Sequence, residues 1–550
     1  MNRTDMIAAL DAGGSPWDVI ILGGGATGLG AAVEAASRGH RTVLVESHDF
    51  AQGTSSRSTK LIHGGVRYLR QGQIGMVRHS LLERQRLLHN APHIVHSLDF
   101  VLPTYRRVAR TFYYAGMRVY DLLAGQLLNG RARRLSVEQT VQQLPNLRSE
   151  GLRGGVLYAD GQFDDARLAI TLARTAVANG AVVVNYMKVE RLIRSGSKIT
   201  GVVVRDQLTG REYSLAGRVV LNATGVFAEA ILQMDATSAG EAPRDSTRSD
   251  SRPRIALSQG SHLVLDADFL PGSAALMIPE TDDGRVLFAI PWHGKVLLGT
   301  TDLAVKEVQR DPRPGRSEID YLLKHAGRYL QHSPVESDVR SMFAGLRPLV
   351  GAKSGTQSTA SLSREHIIHT SDSGLITVIG GKWTTYRQMG EELINRAEQT
   401  GGLSRKQSVT ANLKLHGSEK STADARAASY LRIYGSDAKT IEELSRSDAA
   451  LKSPLHPRLP YLAAEVVWAA RYEMAVAVED VLARRTRALF LDAAAAAEAA
   501  PVVARLLAGE LNQSEEWEQQ QIQSFRKLAE GYRGEPGQEF QRNDASRPLI

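Results

Sequence analysis

Cysteine is absent from the 550-residue chain. This excludes disulfides, thiolate catalysis, cysteine zinc sites and iron–sulfur clusters, and makes a reducing, cytoplasmic setting the expectation. Long uncharged apolar runs are missing too. The best candidate for a membrane span, residues 19–33, is glycine-rich, and the opening "MNRTDMIAALDAGG" carries Asp5 and Asp11, so neither a span nor a signal peptide is expected. Aromatic residues make up only 6%, and no repeat of solenoid length occurs. What the chain does have is 43% hydrophobic residues, enough to fill two or three domains. Its net charge of +8 fits an anionic partner: nucleic acid, an anionic membrane surface or a phosphorylated small molecule. The basic residues are dispersed, without an aromatic-interleaved stripe, so nucleic acid is not the expected choice.

The segment "DVIILGGGATGLGAAVEAASRGHRTVLVES" reads as strand, glycine turn, helix, strand. Gly23, Gly25 and Gly28 fit G-x-G-x-x-G. The turn, the approach of a pyrophosphate and the helix–strand contact each require a missing side chain, and the helix N-terminus supplies oriented N–H groups. Glu46 ends the second strand where a carboxylate accepts hydrogen bonds from an adenosine ribose, so a dinucleotide site is expected. The motif alone does not separate NAD from FAD. Two later segments, "RVVLNATG" ending at Gly225 and "LITVIGGK" with Gly381 and Lys382, again drive an apolar run into glycine. If these strands join the first in one parallel sheet, a long ligand is touched by distant parts of the chain, which favours FAD.

The stretch "KLIHGGVRYL" sets a proton-transfer group, a cation and a phenol (His63, Arg67, Tyr68) around the close-approach glycines Gly64 and Gly65. Arg347 in "FAGLRPLV" and Lys382 in "GGKWTTYR" gain interest from their glycine neighbours. His89, His93 and His96 are at helical spacing, but Pro92 interrupts them and no carboxylate joins them, so no metal is expected. The run "RRTR" at 484–487 reads as a helix face pairing with Glu473, Glu479 and Asp480.

The expected fold is α/β: a discontinuous FAD-binding Rossmann-like domain, an antiparallel substrate or cap sheet including "SHLVLDA", "RVLFAIPW" and "KVLLGTTD", and a separate C-terminal helical domain. An N-terminal extension covers 1–16 and the oxidoreductase region 17–404. Within it, the FAD-binding segments are about 17–100, 150–230 and 340–404, and the cap segments about 101–149 and 255–339. The helical domain spans 405–530, its alanine-rich segment ending at Pro501. Residues 235–254 are expected to form a mobile loop and 531–550 a frayed tail.

Taken in order, "GGGATGLGAAVEAASRG", "TSSRSTKLIHGGVRYL", "DDARL", "NATG", "GSHLVL", "GTTD", "GLRPL" and "GGKWTTYR" resemble the FAD-dependent glycerol-3-phosphate dehydrogenase family from about residue 17 to 395, and "ARYEMAVAVEDVLARRTR" extends the likeness. The resemblance implies FAD-linked oxidation of sn-glycerol 3-phosphate to dihydroxyacetone phosphate, with electrons passing to membrane quinone. It implies Arg67, Arg347 and Lys382, with Tyr68, as substrate-anchoring groups. It sets Thr54, Ser55, Ser56, Gly64, Gly65, Gly225, Gly381 and Lys382 with the fingerprint residues as cofactor contacts. His262 is the first candidate for the base that takes the 2-hydroxyl proton, and His63 the second. A soluble oxidase that passes electrons to oxygen, and a basic FAD-fold protein that binds nucleic acid or a partner, stay open as alternatives, as does a homodimer.

Residues 105–134 complete the reading. On a helix, Phe112, Ala115, Val119, Leu122, Leu123 and Leu127 fall near one face, with Arg106, Arg107, Arg110, Arg131, Arg133 and Arg134 at the ends. This pattern suits an interfacial anchor on an anionic lipid surface, and a cytoplasmic protein held peripherally at the inner face of the cell membrane. It suits equally a helix packed on its own domain.

Overall fold

The structure is a computed structural model that describes residues 1–65, 72–125, 130–238, 255–350, 365–419 and 429–533. Arg67, Tyr68 and Leu127, most of the expected loop 235–254 and most of the expected tail lie outside them.

One sheet runs in the order Ile367–Thr370, Ile376–Ile379, Glu212–Asn222, Trp17–Leu22, Thr42–Val45, Val182–Val184. All but the Ile367–Thr370 edge are parallel, so the three glycine-ended strands lie side by side. The central strand is buried on both faces. Val19 and Ile21 pack with the helices Ala26–Ser37 and Tyr386–Gly401, while Ile20 and Leu22 pack with the antiparallel strands Met187–Ser195 and Lys198–Asp206. Alternation of side chains along a strand makes this division.

Among the described residues the second sheet has ten strands. Ile255–Asp266 lies between Ser341–Val350 and Lys295–Gly299, antiparallel to both, and Leu287–Trp292 follows, as the alternating segments led one to expect. Ser341–Val350, Leu61–Ile62, Val95–Pro103 and Gly155–Phe163 also belong here, although the sequence reading places them mainly with the nucleotide-binding segments. The chain thus passes from sheet to sheet repeatedly. Pairing partners decide membership, and a strand's own residues do not encode them.

The C-terminal helices Ala463–Glu473, Ala493–Leu511 and Glu515–Glu530 do not form a detached unit. Leu489, Phe490, Val503 and Phe525 share one core with Phe343, Trp292 and Phe100 of the second sheet. The helix Ala493–Leu511 continues through Pro501, contrary to the expected stop there. Its buried face, with Ala496, Ala500, Val503 and Leu507 fully enclosed, outweighs one lost backbone bond. Residues 235–238 likewise finish the helix Ala228–Ser238. At the tail, Tyr532 is buried and its hydroxyl lies 2.9 Å from Asp311.

The "RRTR" run is buried rather than solvated. Arg484 pairs with Glu479 at 2.8 Å and Asp480 at 2.7 Å, as expected, but Arg484 and Arg485 also converge on Asp49, just beyond the second parallel strand. Glu473 pairs instead with Arg167, at 2.5 Å, and offers Arg485 only its carbonyl. Burial pushes the Asp49 carboxyl up, but Arg485 and Arg484 outweigh that and hold it below its ordinary value. Asp49→Ala leaves two guanidiniums short of a shared buried acceptor and should lower unfolding free energy by about 3–5 kcal/mol in denaturant melts. Because the folded pKa is depressed, the contribution is complete above about pH 4 and is lost as pH falls through the lower folded value, so the deficit should shrink in acid.

Candidate active site at the junction of the two sheets

A cavity of about 700 Å³ runs between the carboxyl ends of the parallel strands and the inner face of the second sheet. Gly23, with φ +108°, follows the first parallel strand, and Gly25 caps the helix Ala26–Ser37 without a side-chain hydrogen bond; Gly25, Ala26 and Thr27 line the cavity, and Ala26 N donates to Ser55 Oγ at 2.9 Å. Glu46 follows the second strand. One of its oxygens accepts from Gly24 N at 2.6 Å, the other from His48 N at 2.9 Å. Burial raises the Glu46 pKa while these N–H groups pull it down. Gly225 and Gly381 end the other two strands and line the same wall, as do Thr54 and Ser55. Thr54 Oγ1 donates to Leu346 O at 2.6 Å, tying this wall to the second sheet.

Three expected cofactor residues stand back from the wall. A Cβ on Gly28 would overlap the Gly23 carbonyl oxygen, so this glycine serves helix–strand packing. Ser56 is buried, and its hydroxyl donates to Gly53 O at 3.4 Å. Gly64 makes room for Tyr120, whose hydroxyl accepts from Gly64 N at 2.9 Å, whereas His63 and Gly65 line the cavity.

The same cavity is also lined by Arg347, Lys382 and His262. Arg347 comes from Ser341–Val350, His262 from Ile255–Asp266, and Lys382 from the turn after Ile376–Ile379, so both sheets contribute. His262 is buried, its ring stacked on Phe343 at 4.8 Å and its Nε2 3.0 Å from Thr59 Oγ1. Burial, reinforced by Lys60 and Arg347, holds its pKa well below the ordinary imidazole value, so the ring is neutral near pH 7. The histidines of "HNAPHIVH" do not share a helix: His89 lies in Ile74–Asn90 and His96 in Val95–Pro103.

Sequence reasoning missed several groups. Thr59 lines the cavity and meets His262, and Lys60 is a fully buried amine bonded to Asp165 at 2.7 Å, its pKa pulled down to about 7 by burial. Arg285 and Asp302 also line the cavity. "TSSRSTK" and "GTTD" contain three of the four, but only cross-strand register reveals what they face.

A glycine-walled cavity that also presents two cations and a neutral imidazole fits a dinucleotide-dependent oxidoreductase. Comparison with known proteins agrees. The family described as FAD dependent oxidoreductase matches residues 18–387, and the C-terminal domain of alpha-glycerophosphate oxidase matches 347–519. The chain is 38% identical to a probable mitochondrial glycerol-3-phosphate dehydrogenase of Caenorhabditis elegans, over 96% of this chain and 74% of that one. It is 36% identical to the mitochondrial glycerol-3-phosphate dehydrogenase of Arabidopsis thaliana, over 96% and 88%. The solved glycerol-3-phosphate dehydrogenase of Bacillus halodurans, complexed with FAD, superposes with a TM-score of 0.77 at 30% identity, covering 98% of this chain and 99% of that one. An L-alpha-glycerophosphate oxidase of Mycoplasma pneumoniae shares the fold, with a TM-score of 0.54 at 17% identity over 72% of this chain and 97% of that one. This chain belongs to the FAD-dependent glycerol-3-phosphate dehydrogenase family.

The residues present fit FAD. A helix N-terminus that starts at a glycine, with Ala26 N bonded to Ser55 Oγ at 2.9 Å, suits a pyrophosphate, and Glu46 at the second strand end suits a ribose. The purified protein should be yellow and release FAD on denaturation. Glu46→Ala should lower the bound FAD per chain, measured by absorbance of the released flavin, without loss of folded protein; an unchanged FAD content would remove Glu46 from the site.

Proposed function

We propose that the protein oxidises sn-glycerol 3-phosphate to dihydroxyacetone phosphate and passes the electrons to membrane quinone. The observation that carries this reading is that Arg347, Lys382 and a neutral His262 line the same cavity as Glu46. Bound in this cleft, FAD supplies the acceptor for the hydride from C2. Arg347 offers a planar fork and Lys382 a point charge to the dianionic phosphate, which fixes the C2 end of the substrate. The neutral imidazole of His262 accepts the 2-hydroxyl proton, with His63 the second candidate. Arg67 and Tyr68 are proposed to complete the anchor. The partition into nucleotide-binding, cap and helical segments given above belongs to the same proposal.

Anaerobic mixing with substrate tests the roles. Arg347→Ala forfeits a charge-assisted bond worth about 1.5–3 kcal/mol, so apparent affinity should fall roughly tenfold to a hundredfold at unchanged FAD content. His262→Ala should slow flavin reduction by about 10²–10⁴-fold. Since the pKa of His262 is lowered, the wild-type reduction rate should stay level as pH falls through about 6.5 and drop only in stronger acid.

The membrane part of the proposal rests on the helix Arg107–Ala124. Val108, Phe112, Val119 and Leu122 are 83%, 65%, 45% and 76% exposed, while Met117, Tyr120 and Ala124 face inward. The helix ends before the expected basic cluster: Arg133 and Arg134 lie on the strand Arg133–Leu135, and the Arg134 guanidinium sits 4.6 Å from the Tyr114 ring centre. Among the described residues no helix is long and apolar enough to cross a membrane. An outward apolar face with exposed arginines beside it supports docking on anionic lipid. The protein should sediment with anionic vesicles at low salt, and replacing Arg131, Arg133 and Arg134 by glutamate should weaken this without altering flavin reduction. Wild type that stays in the supernatant, with reduced flavin reacting rapidly with oxygen, would favour the oxidase.

A further inference from the structure

We propose that Asp302 is a positioning residue for Arg347, acting through the Ser258 hydroxyl; this rests on the reading of Arg347 as a phosphate anchor. In the antiparallel pair Ile255–Asp266 and Ser341–Val350, Ser258 stands directly opposite Arg347. The arginine Nη1 donates to Ser258 Oγ at 3.3 Å and Thr301 O at 3.2 Å, and Nη2 donates to Thr300 Oγ1 at 2.9 Å. Ser258 in turn donates to the Asp302 carboxylate, which lies 3.9 Å from Nη1. Ser258 and Asp302 are both buried, whereas a quarter of the Arg347 side chain stays exposed, and Arg347 lines the cavity.

The order of donors and acceptors gives the arrangement its direction. A serine hydroxyl has one hydrogen, and an ionised carboxylate can only accept. With that hydrogen committed to Asp302, Ser258 must present a lone pair to Arg347. An asparagine at 302 is nearly the same size but carries an NH₂ group. It removes the negative charge 3.9 Å from Nη1, and where its NH₂ donates to Ser258 the hydroxyl hydrogen is released toward the guanidinium, turning an attraction into a clash of donors. Gly260, on the same strand face as Ser258, completes the seat: a Cβ there would overlap the guanidinium, so only glycine lets it lie across the strand. Asp302 thus holds the fork from behind.

The test measures anaerobic flavin reduction by sn-glycerol 3-phosphate in the FAD-loaded protein. Asp302→Asn should raise the substrate concentration for half-maximal reduction rate roughly tenfold, weaken competition by inorganic phosphate by a similar factor, and leave the limiting rate and FAD content close to wild type. In an Arg347→Ala background the same substitution should add almost nothing, because its effect passes through that side chain. An equal effect in both backgrounds, or unchanged half-saturation in flavin-loaded Asp302→Asn, would overturn the proposal. Should Asp302→Asn fail to hold flavin, Ser258→Ala carries the same test, with a rise in half-saturation expected and no change counting against the proposal. Wild-type flavin that is not reduced at all would instead overturn the functional reading, a result distinct from normal wild-type reduction with an indifferent variant.

Discussion

The grip of Arg484 and Arg485 on Asp49 is the constraint on which the cavity depends. Asp49 begins the loop that carries Ala51, Gln52, Thr54 and Ser55 along the cavity wall, and the carboxylate is fully enclosed. A loop that runs beside a ligand has few apolar contacts of its own to hold it. Here buried charge supplies the hold. A second anchor lies nearby: Arg487 pairs with Asp165 at 3.2 Å and donates to Ser56 O at 2.8 Å, while Lys60 shares the same two acceptors. The C-terminal helices are therefore part of the site's foundation, although they contribute no wall to it.

Two kinds of lining meet in the cavity. Around Glu46 the wall is made of glycines and backbone N–H groups, so what it presents is largely main-chain. Around Arg347, side chains from several strands converge, and their charges act on one another. His262 stays neutral because it is buried beside Lys60 and Arg347, and Arg347 stays in place because Ser258, Thr300 and Thr301 take its hydrogen bonds. The proposed proton acceptor beside the proposed phosphate anchor is a consistent pairing, since a neighbouring cation discourages protonation of an imidazole.

Much of this was legible in the sequence where the signal is local. The apolar run into Gly23, Gly25 and Gly28, followed by Glu46, defined the first parallel strands and the dinucleotide site, and the runs ending at Gly225 and Gly381 joined the same sheet as expected. Arg347, Lys382 and His262 were singled out and do reach one cavity. What could not be read was non-local. Nothing in "FAGLRPLV" says that its strand pairs with "GSHLVL" rather than with the nucleotide-binding sheet. The basic run at 484–487 looks like a solvated face until Asp49, over four hundred residues away, is seen beneath it. Pro501 misled because a local helix breaker was overruled by the burial of its neighbours. That Gly64 makes room for Tyr120 could not be read either, because Tyr120 belongs to a distant helix.

The account stands on one chemical claim, that substrate hydride leaves C2 of a phosphorylated glycerol at this cavity. The most direct measurement is anaerobic rapid mixing of the FAD-loaded protein with sn-glycerol 3-phosphate, protiated or deuterated at C2, followed by flavin absorbance. The account predicts loss of the oxidised-flavin band within a single turnover, slower with deuterium. A flavin that stays oxidised under saturating substrate would contradict it.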